Sequence, residues 1–156
     1  MPTMTRESVL AAIKTALEGI NGAGSYNTTQ RGVFRSLFPA TGIGATPVLM
    51  FTAEDTAGPP LEGGGSSSGI SVWTMRVDIT GYIERATANE TAAHNLLHDI
   101  SFAMTRDRSL GGFSRNVTPA AQSTESQEGA AEGWITVHSS WIVLYRHDYA
   151  VPSQVR

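Results

Sequence analysis

Between residues 70 and 110 an alternating segment runs directly into a helical one, and this junction limits the folds open to the chain more than any other stretch. Over residues 70–83, Trp73, Met75, Val77, Ile79 and Ile83 share one side, while Thr74, Arg76, Asp78 and Thr80 share the other. That period of two is the pattern of a half-buried antiparallel strand. Over residues 88–108, Ala93, Leu96, Leu97, Ile100, Ala103 and Met104 recur at helical spacing as one apolar stripe. Thr87 and Glu90 form a T-x-x-E capping box before it, and Gly111-Gly112 follows it with residues that tolerate φ > 0. A strand with one apolar face and a helix with one apolar stripe bury both by packing together.

The rest of the chain supplies partners for this pair. Val9, Leu10, Ile13, Ala16, Leu17 and Ile20 predict an amphipathic helix over residues 5–20, stopped by Asn21-Gly22. Residues 33–38 suit a short strand or a helical turn. Residues 47–53 form an apolar run rich in β-formers behind Pro47 and predict a strand. Residues 54–69 hold Pro59-Pro60, Gly63-Gly64-Gly65 and Ser66-Ser67-Ser68, a composition expected to form a flexible arm between two strands. Residues 112–133 are polar, with Glu125, Glu128 and Glu132 late in a loop and room for a short edge strand at 115–118 stopped by Pro119. Residues 134–145 alternate again, with Ile135, Val137, Trp141, Val143 and Tyr145 on one face. Residues 147–156 are expected to form a loose tail. The fold expected is one α+β domain over residues 1–156, a mixed or mainly antiparallel sheet of about four strands with both helices packed on one face.

A chain of 156 residues buries roughly 70% of the surface it would expose unfolded, enough for a core without covalent staples. It has no cysteine, so disulfides, thiolate metal sites and thiol nucleophiles are excluded, and a reducing cytoplasm is favoured. A net charge of -3 gives no broad basic field for coating nucleic acid, and no sequence-specific nucleic-acid binding is expected. The chain shows neither a basic leader with an apolar run nor a stretch near the ~20 apolar residues of a membrane helix, so it is expected to be soluble and untargeted. The sequons at Asn27, Asn89 and Asn116 carry no weight without a secretory signal.

Catalytic patterns are sparse. His94 and His98 stand four apart beside Asp99 and one turn after Glu90, the spacing by which one helix face can hold a metal, but the order is not H-E-x-x-H. Both histidines fall off the apolar stripe, where a solvated polar face is the plainer expectation. His138 and His147 are isolated. The glycines at 63–65 are not followed by lysine and open no helix, so they do not form a phosphate cradle. There is no G-x-S-x-G, and the glutamates after residue 124 lack an apolar pocket to raise a pKa. No catalytic residue, metal site or cofactor is expected. Arg106, Asp107 and Arg108 suit the dipole at a helix C-terminus, with a contact between subunits as a further role.

The order helix, strand, flexible arm, long strand (Arg76-Val-Asp-Ile-Thr-Gly-Tyr-Ile83), helix ending in Asp107-Arg-Ser-Leu-Gly-Gly112, acidic loop and final strand (Val143-Leu-Tyr-Arg146) resembles the tail terminator proteins of long-tailed bacteriophages, the group of the lambda minor tail protein U. The likeness runs from Thr5 to about Arg146 and lies in layout rather than in invariant residues. It implies a non-enzymatic virion protein, assembled in the host cytoplasm, that forms a homo-oligomeric, hexameric ring at the head-proximal end of the tail. Its implied partners are the tail tube protein and the head connector or head-closure protein. A head-closure protein, a tube subunit, and more remotely a small metal-dependent hydrolase or ligand-binding domain using His94 and His98 are the alternatives. The interface candidates come from this sequence alone: Pro59, Pro60, Gly63, Gly64 and Gly65 in the arm, Arg106 and Arg108 after the helix, and Glu125 and Glu128 in the acidic loop.

Overall fold

A computed structural model describes residues 6–35, 46–57, 70–84, 90–126 and 134–148. They form α1 (Arg6–Glu18), β1 (Val33–Arg35), β2 (Val48–Ala57), β3 (Ile70–Glu84), α2 (Glu90–Arg106), β4 (Asn116–Ser126) and β5 (Trp134–Asp148). The class is α+β, with one mixed sheet in the order β1-β2-β3-β5-β4. β1 runs parallel to β2, and every other neighbouring pair is antiparallel. β3 and β4 are therefore parallel, joined through α2 with β5 inserted between them.

The alternation expected at the centre is realised in burial. Met75, Val77, Ile79 and Ile83 of β3 join Val137, Trp141, Val143 and Tyr145 of β5 in a single core with Val9, Leu10, Ile13 and Leu17 of α1 and Leu96, Ile100 and Met104 of α2. Both helices cover this one face. On the other face Thr74, Asp78, Thr80, Tyr82, His138 and Ser140 are half-buried and Arg76 is exposed. Gly81 fills the gap between Ile79 and Ile83, and the reason is space. A Cβ there would lie 2.7 Å from both Leu96 and Val137 and 3.2 Å from Leu49, so a glycine lets α2 approach the sheet.

Five strands replace the expected four, and the strands are longer than their apolar patterns. β2 continues through Glu54 to Ala57 because β3 offers an unbroken partner, down to the pair Ala57 and Trp73. Glu54 faces Arg76 across the ladder, and Asp55 is held by Arg6 and Tyr145. Residues 54–57 thus leave the arm, whose remainder, including Pro59, Pro60, Gly63, Gly64 and Gly65, lies outside the described residues. The acidic loop expected over 112–133 is corrected more deeply. β4 occupies half of it, extending the edge strand expected at 115–118 through Pro119, with a register shift between Pro119 and Ala121. Proline is tolerated because β4 is an edge strand, where a missing N–H facing solvent breaks no ladder bond. Glu125 therefore sits on a strand, paired with Thr136, while Glu128 lies outside the described residues. β5, central between β3 and β4, extends to Asp148, so residues 147 and 148 belong to the sheet rather than to a tail. Residues 33–35 of the ambiguous 33–38 run are a strand.

α2 begins at Glu90 and ends at Arg106, two residues short of the expected end. The capping residue Thr87 lies outside the described residues. The early end is chemical: the Asp107 carboxylate accepts the Ser109 amide at 2.9 Å and hydroxyl at 2.6 Å and the Gly111 amide at 2.8 Å, so these amides turn away from the helix. Leu110, Gly111 and Gly112 then take φ of 48°, 71° and 95°. A leucine with positive φ is strained, and its 5% exposure indicates what holds it there, burial of its side chain.

Candidate functional site

Strand register sorts the interface candidates into two ends of the sheet. At one end, Ala57 faces Trp73, Trp73 faces Tyr145, and Thr74 and Asn116 flank Leu144. At the other, Val48 faces Tyr82, and Tyr82 and Glu125 flank Thr136. The two ends stand about 30 Å apart, nine steps along β4 at ~3.3 Å each. α2 leaves β3 at the second end and returns to β4 at the first. Arg106 and Arg108, with Arg115 just before β4, therefore belong to the end where β2 and β3 flank the arm. Glu125 belongs to the opposite end, where its carboxylate lies 3.5 Å from His138. The structure places Arg106, Arg108 and the arm's two bases at the same end of the sheet and Glu125 at the other.

A groove of about 680 Å³ opens between α1 and the end of α2. Ala11, Ala12 and Ala16 form its α1 wall, and their short side chains create the space. Tyr26, Leu110 and Phe113 line it on the other side, with Ala103, and Arg106 stands at its edge. Tyr26 is fixed by an edge-to-face contact with Phe102, ring centroids 5.2 Å apart. Among the described residues the Arg106 guanidinium is exposed and has no ion pair or hydrogen bond. The lining also includes Asp107, whose carboxylate is taken up by the Ser109 and Gly111 amides, so a largely apolar trough beside the Arg106 guanidinium suits an apolar side chain followed by a carboxylate.

The turn that shapes the groove should respond to acid. Hydrogen bonds from the Ser109 hydroxyl, the Gly111 amide and the Ser109 amide hold the Asp107 pKa below its usual value. A carboxylate with a lowered folded pKa stabilises the native turn above its unfolded pKa and loses that contribution as pH falls through the folded value. Acidification below the ordinary aspartate range should therefore loosen residues 107–113, read as faster exchange of the Gly111 amide than neutral-pH behaviour extrapolates. Asp107→Asn should remove this dependence.

The other clusters serve the fold. Arg6 pairs with Asp55 and donates from Nη2 to the Ala53 carbonyl at 3.1 Å, while the Tyr145 hydroxyl donates to Asp55 at 2.8 Å, tying the start of α1 to β2 and β5. Arg35 grips Glu7 through both terminal guanidinium nitrogens, Nη1 and Nη2, and draws the Glu7 pKa down. His94 and His98 are exposed, and Asp99 turns inward from them, 0% exposed. Its carboxylate accepts the Asn27 amide at 3.0 Å, the Asn27 side-chain amide at 3.2 Å, the Thr28 amide at 2.7 Å and the Thr28 hydroxyl. The His94, His98 and Asp99 constellation is therefore not assembled, and among the described residues no group of three His, Asp or Glu side chains stands together. Asp99 and the groove residues Tyr26 and Phe113 are what sequence reasoning missed. Asp99 had a signal, for it borders the apolar stripe about 100° around the helix from His98; the groove had none.

Compared with protein-family models and with characterised proteins, the chain matches none. No helix among the described residues is long and apolar enough to cross a membrane.

Proposed function

We propose that this protein is a non-enzymatic assembly protein of the tail-terminator type, forming a homo-oligomeric ring that caps the head-proximal end of a phage tail tube and presents a face to the head connector. The observation that supports it is that one sheet separates two ends, one with Arg106, Arg108 and the two bases of the arm and the other with Glu125. A closed ring needs each subunit to use one surface against a different surface of its neighbour, and a capping ring also needs two distinct faces. β4 adds an edge strand whose residues Thr118 to Glu125 are exposed, a surface that assemblies pair or cover.

Charge reversal at Arg106 or Arg108 tests the subunit contact. Arg106→Glu or Arg108→Glu should weaken ring formation about tenfold while changing unfolding free energy by less than about 0.5 kcal/mol, since both are surface positions. Sedimentation velocity and urea unfolding on the same samples check both halves; undiminished rings from both variants would remove the pair from the interface. The capping role is tested by disrupting the gene in a parent phage and measuring tails by negative-stain electron microscopy. Long, variable, headless tails are expected. Tails of normal length beside unjoined heads would assign the protein to head closure, and unchanged virions would end the proposal.

A further inference from the structure

We infer that the groove between α1 and the end of α2 receives the arm of a neighbouring copy, residues 58–69, with Leu61 entering the trough and Glu62 pairing with Arg106. The inference deepens the ring assembly proposed above and rests on it for the identity of the neighbour. Three observations carry it. The first is chemical complementarity. The arm reads Gly-Pro-Pro-Leu-Glu-Gly-Gly-Gly-Ser-Ser-Ser-Gly, so Leu61 is its only large apolar residue and Glu62 its only charge, and the two are adjacent. The groove presents an apolar surface of Tyr26, Leu110 and Phe113 and an Arg106 without a partner among the described residues, next to an Asp107 whose carboxylate is already engaged by Ser109 and Gly111. A guanidinium in that setting takes a carboxylate in a bidentate, charge-assisted pair.

The second is position and reach. Ala57 and Ile70, between which the arm is strung, lie at the same end of the sheet as the groove. Twelve residues going out and back reach at most about 20 Å, enough to cross a subunit boundary and not enough to reach the far end of a neighbour. The third is size. At about 680 Å³ the groove falls within the range of preformed ligand sites, roughly 300–1,000 Å³, and can take a few residues of extended chain. Pro59 and Pro60, with φ fixed in advance, lower the entropy lost when the neighbouring Leu61 is immobilised, and the Gly/Ser run supplies slack for the return. Each copy then gives an arm and accepts one, the head-to-tail relation that closes a ring.

The test uses full-length variants. Leu61→Ser with Glu62→Ser leaves the groove intact and spoils the arm, and Arg106→Glu leaves the arm intact and spoils the groove. Each alone should assemble about tenfold more weakly, and so be mainly monomeric in native mass spectrometry at concentrations just sufficient for the unchanged protein to form rings. Mixed in equal amounts they should give a 1:1 heterodimer, because one good arm meets one good groove. Glu62→Arg combined with Arg106→Glu in one chain should restore rings. A synthetic peptide of residues 57–70 should bind the arm-spoiled variant, and about tenfold more weakly once Arg106→Glu is added. If the unchanged protein forms rings, yet the mixture stays monomeric and the peptide does not bind, the arm assignment is overturned and the ring survives. Peptide binding that depends on Arg106, in a protein that never forms rings, would instead support the groove and overturn the ring. Docking of the arm into its own subunit, seen as full retention of monomer by the mixture with the peptide competing only weakly, also overturns it.

Discussion

Asp99→Ala should lower the unfolding free energy by about 2–4 kcal/mol, with no large change in the urea m-value. The carboxylate is buried in the middle of α2 and takes hydrogen bonds from both backbone amides of Asn27 and Thr28 and from both of their side chains. Truncation removes charge-assisted bonds worth more than neutral ones and leaves two backbone donors facing a small apolar cavity. Asn27 is itself exposed, so water can reach part of the vacated site, which keeps the loss below that of a wholly buried donor set. The damage should be local as well as global. Residues 21–30, which follow α1 and carry the groove's Tyr26, are held to α2 through this carboxylate, and their amide exchange should accelerate ahead of the core strands. Asp99→Asn keeps an acceptor but turns an NH2 toward donors, and should fall between the two. A loss under 0.5 kcal/mol for Asp99→Ala would show that the loop is held by something else.

Gly81→Val should destabilise by about 1–3 kcal/mol, and Gly81→Ala by less. Two effects oppose one another. A side chain at a strand glycine reduces the entropy of the unfolded chain, worth about 0.4–1 kcal/mol in favour of folding. Against this, the new Cβ would lie 2.7 Å from Leu96 of α2 and from Val137 of β5 and 3.2 Å from Leu49 of β2. Those atoms belong to three elements packed around one point, so relief for one contact compresses another. The steric term should win, and more clearly for valine, which adds two further methyls. For a chain of this size each kcal/mol lowers the midpoint by about 2–4 °C, within reach of a thermal melt. An unchanged or raised midpoint for Gly81→Val would mean that α2 can move off the sheet without penalty.

The two positions illustrate how much was legible beforehand. The apolar stripe on β3 skips residue 81, and the gap is visible in the sequence, but its meaning is not: only the crossing of α2 makes a missing side chain into a packing contact. Asp99 stands beside two histidines in the sequence, which invites a shared metal, yet helical geometry sends the histidines to solvent and the aspartate to the loop after α1. Arg106 and Arg108 could be picked out as candidates from the helix end, whereas the groove beside Arg106 draws on Tyr26, eighty residues earlier, and on Phe113, which is seven residues later across a turn with three positive φ values.

The central strand, the final strand and both helices follow from the chain alone, because each has a face or stripe whose apolar period needs no partner to be seen. β4 is the opposite case. Its residues from Thr118 to Glu125 are exposed and include proline, so nothing local marks them as a strand, and they become one only because β5 offers a free edge whose N–H and C=O groups would otherwise be unpaired. The same holds for residues 54–57 and 146–148, drawn into the sheet by neighbours rather than by their own preference. The gathering of arm, free guanidinium and apolar trough at one end was likewise decided by tertiary structure, through strand register and the return of α2 to that end, since register is a relation between segments and no single segment carries it.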